Sequence, residues 1–257
     1  METMGIGLVS AAKEAAKRQY RQRGMFYNAA RCLIEPKYAA LGASSILQYA
    51  SAAVSGSRLV HFIGDSHTAA FEFQPGFIVH HIGQATAHNL AKEESSSDSR
   101  KLFWKVLSGI NKKRDLVVAV FGEIDSRIHF YYQFRKNNGK IPIEKLMENT
   151  IANYFSVLME AREKGYDVAV LGIPPASAQE NLYKYPFYGD AKTRSGINAK
   201  FNSMLAGACR ENGFPFIDVY AASADGNGFI KKEFARDEVH LNSMIVPAVR
   251  AQLEKIK

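Results

Sequence analysis

Cysteine is scarce in this chain, and the scarcity narrows its chemistry at once. The 257 residues hold two cysteines, Cys32 and Cys209, far apart and outside any C-x-x-C spacing. That pattern supplies neither a disulfide framework nor a zinc site, and no metal or organic cofactor is expected. The sequence has no Walker loop and no Gly-x-Gly-x-x-Gly fingerprint. Long apolar runs are also missing. The longest are of strand length, which excludes a membrane-spanning helix. Met4 to Ala12 is short and is followed by charge rather than preceded by it, unlike a signal peptide. Two unpaired thiols fit a reducing compartment, so the expected location is cytoplasmic.

Acidic residues are outnumbered, 25 against 33 Lys and Arg, for a formal net charge of +8. The densest basic run, Lys13 to Arg23, reads as a helix. Its basic face is either simply solvated or drawn to an anionic membrane surface or acidic polysaccharide. No zinc-finger, RNA-recognition or basic-zipper signature accompanies it, so nucleic acid is not an expected partner.

Apolar residues make up 47% of the chain, enough for one sizeable core. From residue 58 onward, strand-like and helix-like segments alternate. Strands are expected at Leu59–Ile63, Phe77–Ile82, Leu116–Phe121, Asp167–Ile173 and Pro215–Val219. The third and fourth are nearly continuous apolar runs, as in strands buried on both faces of a parallel sheet. Helical periodicity fits Ser99–Lys112, Ile143–Lys164, Asn198–Asn212 and Ser243–Lys257. The expected fold is an α/β three-layer sandwich, flavodoxin-like, with about five parallel strands in the order 2-1-3-4-5. Residues 1–57 do not follow the alternation and read as a mainly helical N-terminal extension packed on a 58–257 α/β domain. Two stretches, Ser126–Pro142 and Pro174–Thr193, read as long loops rich in aromatic and basic residues. Loops of that length tend to be functional, and these two are expected to wall the substrate cleft.

Chemistry concentrates at three places. Leu59 to Ile63 runs into Gly64-Asp65-Ser66-His67, which places a hydroxyl where a strand ends and a helix is expected to begin. That is the carboxyl edge of a parallel sheet, where open α/β folds bind ligands. A serine needs a base within hydrogen-bond reach, itself oriented by a third group. Of seven histidines, His240 lies just before the last helix and so returns to the same edge. Asp237, three residues earlier in a turn, can reach back to its Nδ1. The remaining place is Gly122-Glu123-Ile124-Asp125-Ser126-Arg127 at the end of the third strand, where Arg127 can clamp an anionic or hydroxyl-rich ligand. Alternatively, Glu123, Asp125 and Arg127 form a local ion-pair network that stiffens the loop. His88 and His129 fall near loops at this edge and are expected to line the cleft.

Together these blocks resemble the SGNH/GDSL hydrolase superfamily. Gly64-Asp65-Ser66 matches its first block, with His67 where leucine is common. Gly83 matches the second, Gly122-Glu123-Ile124-Asp125 the third, and Asp237-x-x-His240 the last. The third block looks most like a bacterial subgroup linked to surface-polysaccharide and glycan pathways. The resemblance implies a catalytic set of Ser66, His240 and Asp237, with the backbone N–H groups of Ser66 and Gly83 as an oxyanion hole. Asp65, His67, Glu123, Asp125 and Arg127 are the expected substrate-binding residues. The implied activity is a serine-dependent esterase that deacylates a carbohydrate or glycoconjugate through an acyl-enzyme. Two alternatives are an O-acyltransferase on a polysaccharide or sugar precursor, and a non-catalytic glycan-binding protein on a degenerate hydrolase fold. The third block departs from the family, because Ile124 stands where an asparagine normally donates to the oxyanion, and isoleucine has no donor.

Overall fold

A computed structural model describes residues 36–95 and 97–256. The basic run Lys13–Arg23 and Cys32 lie outside the described residues. Five strands, β1 (Val60–Gly64), β2 (Phe77–His81), β3 (Leu116–Val120), β4 (Asp167–Leu171) and β5 (Phe216–Ile217), form one sheet in the order β2-β1-β3-β4-β5. All four pairings are parallel, with Val60 opposite both Phe77 and Leu116. This is the expected order. Each expected strand is present, although β5 is only two residues long.

Both sheet faces are covered, which is why the strands read as unbroken apolar runs. Ile63, Val117, Ala119, Val168 and Val170 face one cluster, shared with α2 (Ser99–Leu107), α4 (Ile143–Glu163) and α5 (Ala191–Asn212). Phe62, Val118, Val120, Ala169 and Leu171 face the other, against α7 (Val246–Leu253) and the short α6 (Val219–Ser223). On α4, Ile151, Tyr154, Phe155 and Leu158 are buried. Gly165, at φ +87°, ends that helix: its N–H bonds Arg162 O and Tyr166 N–H bonds Ala161 O, the paired pattern of a left-handed C-terminal cap. Before the sheet, α1 (Pro36–Ser55) packs Tyr49 and Ala52 against Leu59 and Ile78. Among the described residues no helix is long and apolar enough to cross a membrane.

Four expectations need correction. The helix expected after β1 is a six-residue 3-10 turn, Ser66–Phe71. Ser126–Pro142 is not a loop. A π-helical turn, Asp125–His129, leads into α3 (Phe130–Lys136), and Phe130 is buried against Phe201 of α5 with ring centroids 5.3 Å apart. Tertiary burial outweighs the modest helix propensity of the aromatics there. The third expected helix starts earlier, at Ala191, because the Asp190 side chain accepts Thr193 N–H and caps it. The last expected helix is a 3-10 turn, Ser243–Ile245, followed by α7, which ends at Leu253.

Candidate active site

Gly64 closes β1 where two backbones nearly touch. A Cβ built there would lie 1.9 Å from the carbonyl oxygen of Val120, so glycine is required by contact rather than by φ. The chain then turns at Asp65, whose carboxylate accepts His67 N–H at 2.9 Å and caps the 3-10 turn. Asp65 supplies the cap, and Ser66 is the residue the cap presents.

Ser66 Oγ lies 2.8 Å from His240 Nε2. His240 arrives on a tight hairpin in which Arg236 N–H bonds His240 O at 2.8 Å. Inside that hairpin the Asp237 carboxylate does two jobs. Its Oδ1 accepts the backbone N–H of Val239 at 3.0 Å and of His240 at 2.9 Å, and both its oxygens lie 2.9 Å from His240 Nδ1. The three-residue spacing lets one carboxylate organise the loop and hold the ring. With Nδ1 donating to a carboxylate, Nε2 is left as the acceptor facing the hydroxyl. Burial alone would raise the Asp237 pKa, but these hydrogen bonds and the nearby imidazole hold it far below the usual carboxylate range.

His240 is pushed down to about 4, first by burial and then by the charge of His67, against the pull of Asp237. At neutral pH the imidazole is uncharged and able to accept a proton. The His67 ring packs 4.7 Å from the His240 ring, centroid to centroid. His67 Nε2 lies 3.1 Å from Glu123 Oε2, within ion-pair reach but out of line for a hydrogen bond. Burial opposes protonation of His67, yet Asp65 and Glu123 together raise its pKa. Glu123 is lowered to about 2, because His67 and Arg127 outweigh its burial.

The five expected substrate-binding residues sort into two groups. Glu123 and Arg127 pair at 2.6 Å, and Arg127 also donates to the carbonyl of Pro186, so this pair forms the stiffening network. Asp125 does not join it. Fully buried, it accepts Ala87 N–H at 2.7 Å and His88 N–H at 3.3 Å. Burial and the charge of Asp65 raise it to about 7. Asp65 is itself raised to about 6 by burial and Glu123, against the pull of His67, and its Oδ2 has no hydrogen-bond partner. Asp65, His67, Glu123 and Asp125 are all buried. Gly83 follows β2 at φ +92°, in the left-handed region that favours glycine.

The 174–190 loop lies over Asp237 and His240. Tyr185 donates its hydroxyl to Asp237 Oδ2 at 3.2 Å and sets its ring edge-on to His240 at 5.2 Å. Lys184 N–H bonds Glu238 Oε2, and the rings of Tyr188 and Tyr132 meet at 5.0 Å. Arg194, 2% exposed, fastens the loop from below by donating to the carbonyls of Gln179, Glu180 and Gly189. The sequence marked Tyr185 only as one aromatic among several. The loop's length and composition were signals, but they did not single out the residue that touches Asp237.

No protein-family model and no curated protein matches the chain. Solved structures do match in fold. A GDSL-like lipase from Bacteroides thetaiotaomicron aligns over 82% of this chain and 96% of its own, at 18% identity and TM-score 0.52. A candidate platelet activating factor from Streptococcus pneumonia aligns over 99% of both chains, at 15% identity and TM-score 0.53. A candidate acylhydrolase from Bacteroides fragilis aligns over 77% of this chain and 85% of its own, at 19% identity and TM-score 0.50. The chain therefore shares the fold of these proteins, the one its SGNH/GDSL resemblance implied, with Ser66 and His240 meeting at the carboxyl edge of the sheet.

Proposed function

We propose that this protein is a serine-dependent esterase of SGNH/GDSL type that removes an O-acyl group from a carbohydrate or glycoconjugate. The observation that carries the reading is the unbroken chain from Ser66 Oγ through His240 to Asp237, each link at 2.8–2.9 Å. Ser66 Oγ attacks the acyl carbon while His240 Nε2 takes its proton. The tetrahedral intermediate collapses as that proton passes to the leaving alcohol oxygen, which leaves an acyl-serine. Water then attacks the acyl carbon while His240 takes its proton, and His240 returns that proton to Ser66 Oγ as the acyl–Oγ bond breaks and the free acid leaves. Asp237 holds the ring tautomer, and Tyr185 steadies Asp237. The N–H groups of Ser66 and Gly83 receive the oxyanion, and Ile124 adds no donor. Loss of one such donor typically costs on the order of 100-fold in rate, so a modest rate on simple esters is expected.

Ser66→Ala tests the mechanism. Turnover of p-nitrophenyl acetate should fall by on the order of 10³-fold or more, with an unchanged circular dichroism spectrum. A fluorophosphonate probe should label the parent protein and not the variant. Retained turnover in Ser66→Ala would exclude a covalent serine route, and an unlabelled, inactive parent would favour a glycan-binding role.

The loop closed over Asp237 and His240 favours a second reading, an O-acyltransferase in which a sugar hydroxyl rather than water resolves the acyl-serine. Mass spectrometry of a sugar acceptor incubated with an acyl donor separates the two. Acylated acceptor means transfer, and free acid alone means hydrolysis.

A further inference from the structure

A cavity of about 380 Å³ opens between the 86–92 loop, α3 and the start of α4, and neither Ser66 nor His240 lines it. We propose that it is a binding site for an anionic saccharide, a sugar carrying a carboxylate or a phosphate. Its volume lies at the small end of ligand-binding cavities, which suits a small molecule rather than a macromolecular partner.

The lining argues for the charge of the occupant. His88, Lys92 and His129 all line this cavity. They are close enough for Lys92 to depress His88, and for His88 and Lys92 to depress His129, each on top of burial. Burial and the Lys92 charge keep both imidazoles from protonating, and an anion among the three would offset that charge and favour their protonated forms. Among the described residues lining the cavity the one carboxylate is Asp125, and its two oxygens accept Ala87 N–H and His88 N–H. It therefore serves the loop backbone rather than the basic groups. With its pKa raised to about 7 by burial and Asp65, it adds little negative charge in weakly acidic solution.

The same lining argues for hydroxyl groups on the occupant. Asn89, Gln133 and Asn149 also face the cavity, and side-chain amides offer donors and acceptors together, as a polyol requires. His88 is held at the wall: its Nδ1 lies 3.4 Å from Thr150 Oγ1 and 3.5 Å from the amide nitrogen of Asn153, which also donates to His88 O.

Binding should tighten as pH falls and His88 and His129 protonate. The titratable groups lining the cavity are these two, Lys92 and Asp125, and neutralisation of Asp125 acts in the same direction. This site does not depend on the esterase reading, because binding is read without turnover.

The test is calorimetry on full-length Ser66→Ala protein with D-glucuronate, glucose 6-phosphate, inorganic phosphate and glucose, alongside NMR titration of the histidine ring protons. Glucuronate or glucose 6-phosphate should bind and raise the pKa of both His88 and His129, and which of the two binds more tightly fixes the anion. Glucose should bind at least tenfold more weakly. Lys92→Met, at an exposed position that leaves the core intact, should weaken binding about tenfold. The proposal is overturned if neither anionic sugar binds at millimolar concentration or if Lys92→Met leaves affinity unchanged. Inorganic phosphate matching glucose 6-phosphate, or glucose matching glucuronate, would also overturn it.

Discussion

Replacing His67 by leucine, the residue common at this place in the resembled superfamily, isolates one electrostatic effect. The His67 ring lies 4.7 Å from His240 and is held toward its charged form by Asp65 and Glu123. After burial, that charge is the largest cause of the low His240 pKa of about 4. Two unit charges at this distance repel by roughly 3.5 kcal/mol at an effective dielectric of about 20, equivalent to about 2.5 pH units. Glu123, at 3.1 Å from His67 Nε2, cancels part of this, so a net shift of about 1–2 units is expected. The direction follows from the role of the base. His240 accepts a proton only when neutral, so activity falls as pH drops through its pKa. In His67→Leu that pKa rises, and the acidic limb of kcat/KM, which reports the free enzyme, moves from near pH 4 to about pH 5–6. The assay is p-nitrophenyl acetate hydrolysis from pH 3.5 to 8. Activity at pH 8 should stay within a few-fold of the parent, since Arg127 still pairs with Glu123 at 2.6 Å. An acidic limb that stays in place or moves to lower pH would refute the argument that His67 tunes His240.

Asp237→Asn should lower kcat by roughly 100-fold or more, because an amide no longer stabilises the imidazolium or fixes the Nδ1–H tautomer; a stopped-flow burst and steady-state rates measure it, and a loss under threefold would contradict the orienting role. Gly64→Ala places a Cβ 1.9 Å from Val120 O, so the two central strands must part, and urea unfolding should show at least about 2–3 kcal/mol of destabilisation. A loss under 1 kcal/mol would mean that the β1–β3 contact is looser than described.

Periodicity and local chemistry read well wherever local forces dominate. Leu-Val-Val-Ala-Val and Asp-Val-Ala-Val-Leu read as doubly covered strands, and they form β3 and β4 in the sheet. Asp237 and His240 were legible as a pair because their contact is made within one hairpin. The stretch 126–142 misread because Ile, His, Phe and Tyr give it no helical cap and modest propensity, and the helix there depends on Phe130 meeting Phe201 of α5, 71 residues away in the chain. The early start of α5 was obscured by Gly196 in its missed first turns. Further along it Asn198 and Asn202 are buried, Asn198 donating to the carbonyl of Pro174 and Asn202 bonding both backbone groups of Ile173.

By itself the sequence determined the five strands, the serine at the end of the first and the Asp237–His240 pair, because hydrophobic period and turn chemistry are encoded within a few neighbouring residues. Only the tertiary structure decided what surrounds them. It placed His67 against His240, Tyr185 on Asp237, and Asp125 beneath a basic cavity rather than in the Glu123–Arg127 pair. Those contacts join segments tens of residues apart, and their energetics rest on burial and on distances between charges, which no local pattern records.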